Sequence, residues 1–325
     1  MENRKHIIVL GAGGFIGNNL VKRLKIEGAH VRGVDIKLPD FSDSQADEFV
    51  VGDLRDVHFV REVIDQNIDE LYQLAGDVGG AGYIFTGEHD ADVLHNSSQI
   101  NLNVAKVAVE KGVKSLFFSS SACIYPAENQ IDPSSPNCEE FSAYPANPDS
   151  EYGWEKLISE RLYLSYKRNY GLNVKIARFH NIYGPESTWK GGKEKAPAAI
   201  CRKVAEASEN NSIEIWGDGL QTRSFLYIDD CLEATINLMR SDKTGPYNIG
   251  SEEMISMLDF TKLVLRISEK SNSIKTISGP VGVRGRCSHN FLIQQDLNWK
   301  PKYSLELGVS QLYDWVREQV KNSTI

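Results

Sequence analysis

The strongest constraint lies in the first forty residues, where a short apolar run stops at a glycine loop. Ile7-Ile8-Val9-Leu10 is rich in β-branched side chains and reads as a buried parallel strand. Gly11, Gly14 and Gly17 follow at three-residue spacing. Phe15, Ile16, Leu20, Val21 and Leu24 then form a helical apolar stripe that ends near Gly28. Val31-Arg32-Gly33-Val34 is a second strand, closed by Asp35. The order strand, glycine loop, helix, strand, acid is what a dinucleotide-binding βαβ unit requires.

The glycines allow a tight turn and let the backbone approach a pyrophosphate, while the helix N-terminus offers N–H donors to its charge. Gly11, Gly14, Phe15, Ile16 and Gly17 are therefore read as cofactor contacts. The Asp35 carboxylate can accept both ribose hydroxyls and would repel a 2′-phosphate, so NAD is expected rather than NADP. Asp53 and Leu54, after the strand Glu48–Val51, are placed near the adenine, and Ala75 is read as a further cofactor contact.

Beyond this unit, strands and helices keep alternating. Glu70–Ala75, Ser115–Ser119 and Val174–Phe179 read as strands, and Asn96–Lys111 and Glu151–Asn169 as helices. Asn96 or Ser97 would cap the first of these helices, with Gly112 just past its end. The fold class is α/β, a Rossmann-type doubly wound parallel sheet with a smaller substrate-binding lobe. Residues 1–185 and about 222–257 are assigned to the cofactor-binding domain, and about 186–221 and 258–325 to the lobe. The strand Tyr247–Ile249 is expected to return to the main sheet.

Composition removes several function classes. With 36 Lys+Arg against 44 Asp+Glu, the net charge of −8 disfavours a general nucleic-acid binder. No apolar run approaches a membrane span, and the opening MENRKHIIVLGAGG does not read as a secretory signal. Five cysteines, an odd number with no CxxC pair, do not form a disulfide framework. No HExxH occurs, so no metal site is expected, and a reducing, cytoplasmic setting fits best.

The reactive residues cluster around two segments. Leu116-Phe117-Phe118 runs into Ser119-Ser120-Ser121-Ala122-Cys123-Ile124-Tyr125-Pro126, at a strand end where ligands of open α/β sheets bind. Tyr152-Gly153-Trp154-Glu155-Lys156 places a phenol and an ammonium at i and i+4 on one helix face. A nearby ammonium lowers a phenol pKa, which would make Tyr152 a proton acceptor.

Together these features resemble the extended short-chain dehydrogenase/reductase family over essentially the whole chain. The resemblance implies that Tyr152 takes a hydroxyl proton during C4 oxidation, that Lys156 also holds the nicotinamide ribose, and that Ser121 steadies the oxygen. Family members act largely on nucleotide sugars. The dehydratases carry Asp-Glu where this chain has Ala122-Cys123, which argues against dehydration.

The stretches AGDVGGAGYI (75–84), SSSACIYP (119–126), WKGGKEKAPAAICRK (189–203), WGDGLQTRSF (216–225) and GVRGR (282–286) narrow the resemblance to 3,5-epimerases of GDP-hexoses, with GDP-mannose the expected substrate. It implies acid/base roles for Cys123 and Lys195. Oxidation at C4 acidifies the C3 and C5 protons, and a base and an acid on opposite ring faces then invert those centres. Glu194 beside Lys195 would oppose a lowering of the lysine's pKa. The 3,5-epimerase/4-reductases of GDP-4-keto-6-deoxymannose carry a histidine in place of Lys195 and use NADPH, so Lys195 and Asp35 argue against that reaction.

The same matches imply substrate contacts at Gly80, Ala81, Ser121, Ala122, Cys123, Asn181, Glu194, Lys195, Ala196, Lys203, Gly219, Gln221, Arg223 and Arg284. Asn181 is expected near the diphosphate, and Lys203 and Arg284 on phosphate charge. Gly80 and Gly82 would let the backbone approach the sugar. Arg223 and Arg286 stand open between substrate contact and interdomain ion pairing. A homodimer through Asn96–Lys111 and Glu151–Asn169 is implied.

Overall fold

The computed structural model describes residues 4–323. In chain order the elements begin with β1 (His6–Leu10), α1 (Phe15–Ile26), β2 (His30–Asp35), β3 (Glu48–Val51), α2 (Val57–Val63), β4 (Glu70–Gln73), α3 (Ala81–Ile84), α4 (Asp90–Glu110), β5 (Leu116–Ser121), α5 (Glu151–Tyr170), β6 (Val174–Phe179) and β7 (Ile182–Tyr183). They continue with α6 (Ala196–Glu206), β8 (Ile213–Trp216), β9 (Thr222–Ser224), β10 (Leu226–Tyr227), α7 (Ile228–Met239), β11 (Tyr247–Ile249), β12 (Met254–Ser256), α8 (Met257–Ile267), β13 (Ile274–Ile277), β14 (Gly285–Arg286), α9 (Phe291–Leu297) and α10 (Leu305–Ser323).

Seven parallel strands form the main sheet in the order β11-β6-β5-β4-β1-β2-β3. The alternation of strand side chains splits the core into two faces. Ile7 and Val9 of β1 pack with Leu20, Val21 and Leu24 of α1. Ile8 and Leu10 pack on the opposite face with Val104, Val107 and Ala108 of α4. The chain reverses direction across the sheet between β1 and β4, and such a switch point opens the crevice where ligands bind. As the sequence suggests, Tyr247–Ile249 pairs with Ala177–Phe179 in this sheet.

Several boundaries move. The α4 helix starts at Asp90, six residues before the expected cap, and Asp90 and Asp92 place acid in its first turn, where the helix dipole favours it. Asn96 and Ser97 serve another purpose: the Asn96 amide donates to Asp77 Oδ2, and the Asp77 N–H donates to Ser97 Oγ at 2.9 Å. The β5 strand extends to Ser121, and β4 stops at Gln73. Three small sheets lie outside the main one. In one of them β9 pairs with β14, so Thr222–Ser224 joins the C-terminal segment rather than the main sheet. Among the described residues no helix is long and apolar enough to cross a membrane.

Candidate active site

A cavity of 1130 Å³ opens above the switch point. Every site position read from the sequence lines it, apart from Gly219 and Arg284. Gly219 holds a turn with φ +77°, where a Cβ would lie 2.8 Å from Ile215 and 3.2 Å from Leu258. Arg284 is drawn outward by Asp218, 3.0 Å away, and lines a separate 460 Å³ pocket. Neither expected contact therefore reaches the cavity.

One end of the cavity is the glycine loop. Gly14 caps α1 with no side-chain partner, leaving the helix N-terminus facing the cavity. A Cβ on Gly17 would lie 2.0 Å from the Gly11 carbonyl oxygen, so only glycine allows this turn. The Asp35 carboxylate accepts the Gly13 N–H at 2.9 Å and the Ile36 N–H at 2.7 Å. Burial raises its pKa, and these N–H groups oppose the rise. Asp53 is held by Arg55, whose guanidinium also reaches Asn96.

At the centre, a single tight turn over Ala122–Ile124 carries Cys123 off the end of β5. Ser121 Oγ accepts the Cys123 N–H at 3.2 Å. Gly153 lets α5 meet this turn, because a Cβ there would lie 2.2 Å from the Cys123 carbonyl oxygen. That contact brings Tyr152 beside Cys123. Ser119 and Ser120 are occupied elsewhere, on the Gln73 carbonyl and on Glu160.

The expected effect of Lys156 on Tyr152 is not the dominant one. Lys156 Nζ lies 5.7 Å from the phenol ring centroid and donates to the Ser119 carbonyl at 3.0 Å. Enclosure in the cleft raises the Tyr152 pKa, Cys123 adds to this, and a hydrogen bond with Ser121 opposes it. Burial lowers the pKa of Lys156 itself.

Lys195 reaches the cavity from the N-cap of α6. Its surface is open to the cavity, while the surrounding walls enclose its ammonium and lower its pKa. Glu194 does not oppose this as expected, since its carboxylate turns away to the Gly192 N–H at 2.6 Å and to Arg202. The other wall is polar. Asn181 adopts φ +46° and donates to the Ser224 carbonyl. Lys203 Nζ donates to the Glu214 carbonyl at 2.7 Å. Gln221 donates to the Trp216 carbonyl, and its buried Oε1 has no hydrogen-bond partner. Arg223 is tied to the Val281 and Val283 carbonyls, and burial lowers its pKa to about 10.

Comparison with known proteins adds the decisive finding. Residues 7–250 match the NAD dependent epimerase/dehydratase family. The chain belongs to that family. It is 44% identical over 322 residues to GDP-mannose 3,5-epimerase of Arabidopsis thaliana, covering 98% of this chain and 84% of that protein. It is 42% identical to GDP-mannose 3,5-epimerase 1 of Oryza sativa subsp. indica, with the same coverage. Its fold matches UDP-glucose 4-epimerase of Thermotoga maritima, with a TM-score of 0.84 at 24% identity, over 97% of this chain and 99% of that one.

The family's NAD fits the residues present. A Cβ on Gly13 would lie 2.2 Å from the Lys37 carbonyl, so the loop hugs the end of β2 and keeps Asp35 beside the helix N-terminus. Gly11, Gly14 and Gly17 would hold the pyrophosphate, Asp35 the adenosine ribose and Lys156 the nicotinamide ribose. Among the described residues no cluster of three His, Cys, Asp or Glu side chains could hold a metal, and all five cysteines are free.

One residue of this site escaped the sequence reading, and the role of another was left open there. Gly13 falls outside the three-residue glycine spacing, although the pair Gly13-Gly14 was visible. Arg286, left open between two roles, points its guanidinium at Cys123 Sγ from 3.0 Å. The two residues are 163 positions apart in the chain, and no local pattern marks their meeting.

Proposed function

We propose that the protein inverts C5 of GDP-mannose, giving GDP-L-gulose, and both C3 and C5, giving GDP-L-galactose, with transient oxidation at C4. The observation that carries this reading is that Cys123 and Lys195 face the same cavity as Tyr152 and Lys156, close enough for the first two to interact electrostatically. The 44% identity to a GDP-mannose 3,5-epimerase supports the choice of substrate.

In this reading NAD, when bound, would supply a reversible hydride acceptor for C4. Tyr152 takes the O4 proton, Ser121 holds that oxygen and Lys156 orients the ribose. The C4 ketone acidifies the C3 and C5 protons. Cys123 and Lys195 then remove and return those protons, and the lowered lysine pKa suits transfer near the operating pH. Asn181, Lys203, Gln221 and Arg223 hold the nucleotide, with the unpaired Gln221 Oε1 available as an acceptor.

The cofactor-binding unit spans residues 1–185 and about 222–257, and the remaining segments form the sugar-nucleotide lobe. The enzyme works in the cytoplasm as a homodimer through α4 and α5. On these helices Leu102 and Ile158 are about half exposed, as an apolar helix interface requires.

The test is incubation with GDP-mannose in deuterated water. Deuterium is expected at C3 and C5, and its absence from both, with cofactor present, rules out this substrate.

A further inference from the structure

We infer that Arg286 is a positioning residue for Cys123, aiming its sulfur into the cavity as an acceptor for a sugar-ring proton. This rests on the function proposed above. Arg286 lies in β14, and its side chain is almost wholly buried. Each face of its guanidinium fork has one partner. Nε donates to Gln130 Oε1 at 2.6 Å, Nη2 to Asp149 Oδ2 at 2.9 Å and Nη1 to Cys123 Sγ at 3.0 Å. Gln130 cannot turn away, because its amide is held by the Tyr125 and Pro126 carbonyls. Asp149 precedes the N-cap of α5 and lies three residues before Tyr152. The C-terminal segment thus clamps both reactive segments through one side chain.

Guanidinium carries donors and no acceptor, so the sulfur must meet Arg286 with a lone pair. Such a bond fixes the direction of the sulfur. Arg286 and Arg223 approach Cys123 from paired strands, Lys195 from the start of α6 and Tyr152 from α5, while Asp149 and Cys138 lie near both arginines. A simple strut between segments would be satisfied by Asp149 alone. The third donor is spent on the sulfur.

The experiment is alkylation of the full chain with its bound cofactor by iodoacetamide at pH 7, with the Cys123 peptide followed by mass spectrometry. Arg286→Gln is expected to slow Cys123 alkylation by about 10-fold, the worth of one charge-assisted hydrogen bond. Arg286→Lys should recover most of the rate. A mere strut would behave oppositely, since its loss loosens the turn and speeds alkylation. An unchanged or faster rate in Arg286→Gln overturns the inference.

Should that variant not fold, the wild type serves. Cys123 is expected to be alkylated at pH 7 at least about 10-fold faster than Cys287, the other half-buried thiol. An equal or slower rate at Cys123 overturns the inference. Alkylation requires no sugar. Slowed alkylation in Arg286→Gln without deuterium exchange on GDP-mannose defeats only the substrate reading, and exchange without the slowing defeats only the role of Arg286.

Discussion

A Cβ on Gly80 would stand 2.1 Å from the carbonyl oxygen of Glu194. The Gly80 N–H also donates to the Lys193 carbonyl at 3.0 Å. The segment carrying Lys195 therefore rests directly on the backbone at Gly80, a contact the sequence reading had given to the sugar. Gly80→Ala must push this segment away, at a cost of about 1–3 kcal/mol if it stays packed. The expected result is a fall in turnover on the order of 10²-fold, as a misplacement of about 1 Å would cause, with the chain still folded. Turnover and thermal melting measured together check this, and unchanged turnover would show that the contact does not place Lys195.

The proposed division of labour predicts separable defects. Tyr152→Phe should stop C4 oxidation and solvent exchange together. Cys123→Ser and Lys195→Ala should each lose exchange at C3 and C5 by about 10²–10⁴-fold, the usual worth of a general acid or base. They should still oxidise C4, detectable as a ketone trapped with borodeuteride. Loss of that signal as well would assign these two residues to binding or folding.

What the sequence disclosed followed the range of the interactions. The strand–glycine loop–helix unit is local, and its hydrophobic period and turn residues spell it out. Strand and helix ends placed Ser121, Cys123, Tyr152 and Lys156 near the cavity, but the roles of Ser121 and Cys123, like that of Lys195, came only from the family resemblance. Arg286 and Arg284 sit two residues apart, and only the tertiary fold sends one inward to Cys123 and the other outward to Asp218. Asn96 and Ser97 looked like helix caps because their side chains suit that task. In the fold they hold the loop at Asp77 instead, a partner about twenty residues away.

Cofactor selectivity gives a third prediction. Asp35 accepts three backbone N–H groups, from Gly13, Ile36 and Lys37, so its carboxylate is fixed in place before any ribose arrives. Asp35→Ser should weaken NAD binding by about 10-fold, the worth of one charge-assisted hydrogen bond. It should also narrow the discrimination against NADP by removing the charge that repels a 2′-phosphate. Titration of the variant with both dinucleotides checks this, and retained NAD selectivity would place the selection elsewhere.

The last prediction concerns acid stability. His180 is fully buried, and burial lowers its pKa to about 3, with Arg286 and Arg178 adding to the effect against its bond to Asn248. The amide nitrogen of Asn248 donates to the Cys138 carbonyl, so its Oδ1 is an acceptor, and His180 Nε2 donates to it at 2.9 Å. Tyr125 donates to the same oxygen. The ring is thus neutral in the folded protein. In the unfolded chain it takes a proton below about pH 6.5. Between about 6.5 and 3 the unfolded state binds more protons, so falling pH removes stability, by about 1.4 kcal/mol per pH unit. Above about pH 6.5 this residue contributes no slope. His180→Gln keeps a donor for Asn248 and cannot titrate. Its loss of unfolding free energy between pH 7 and pH 5, measured in urea, should be smaller than the wild type's by about 2 kcal/mol. An equal loss in both proteins would mean that His180 is not the group resisting protonation.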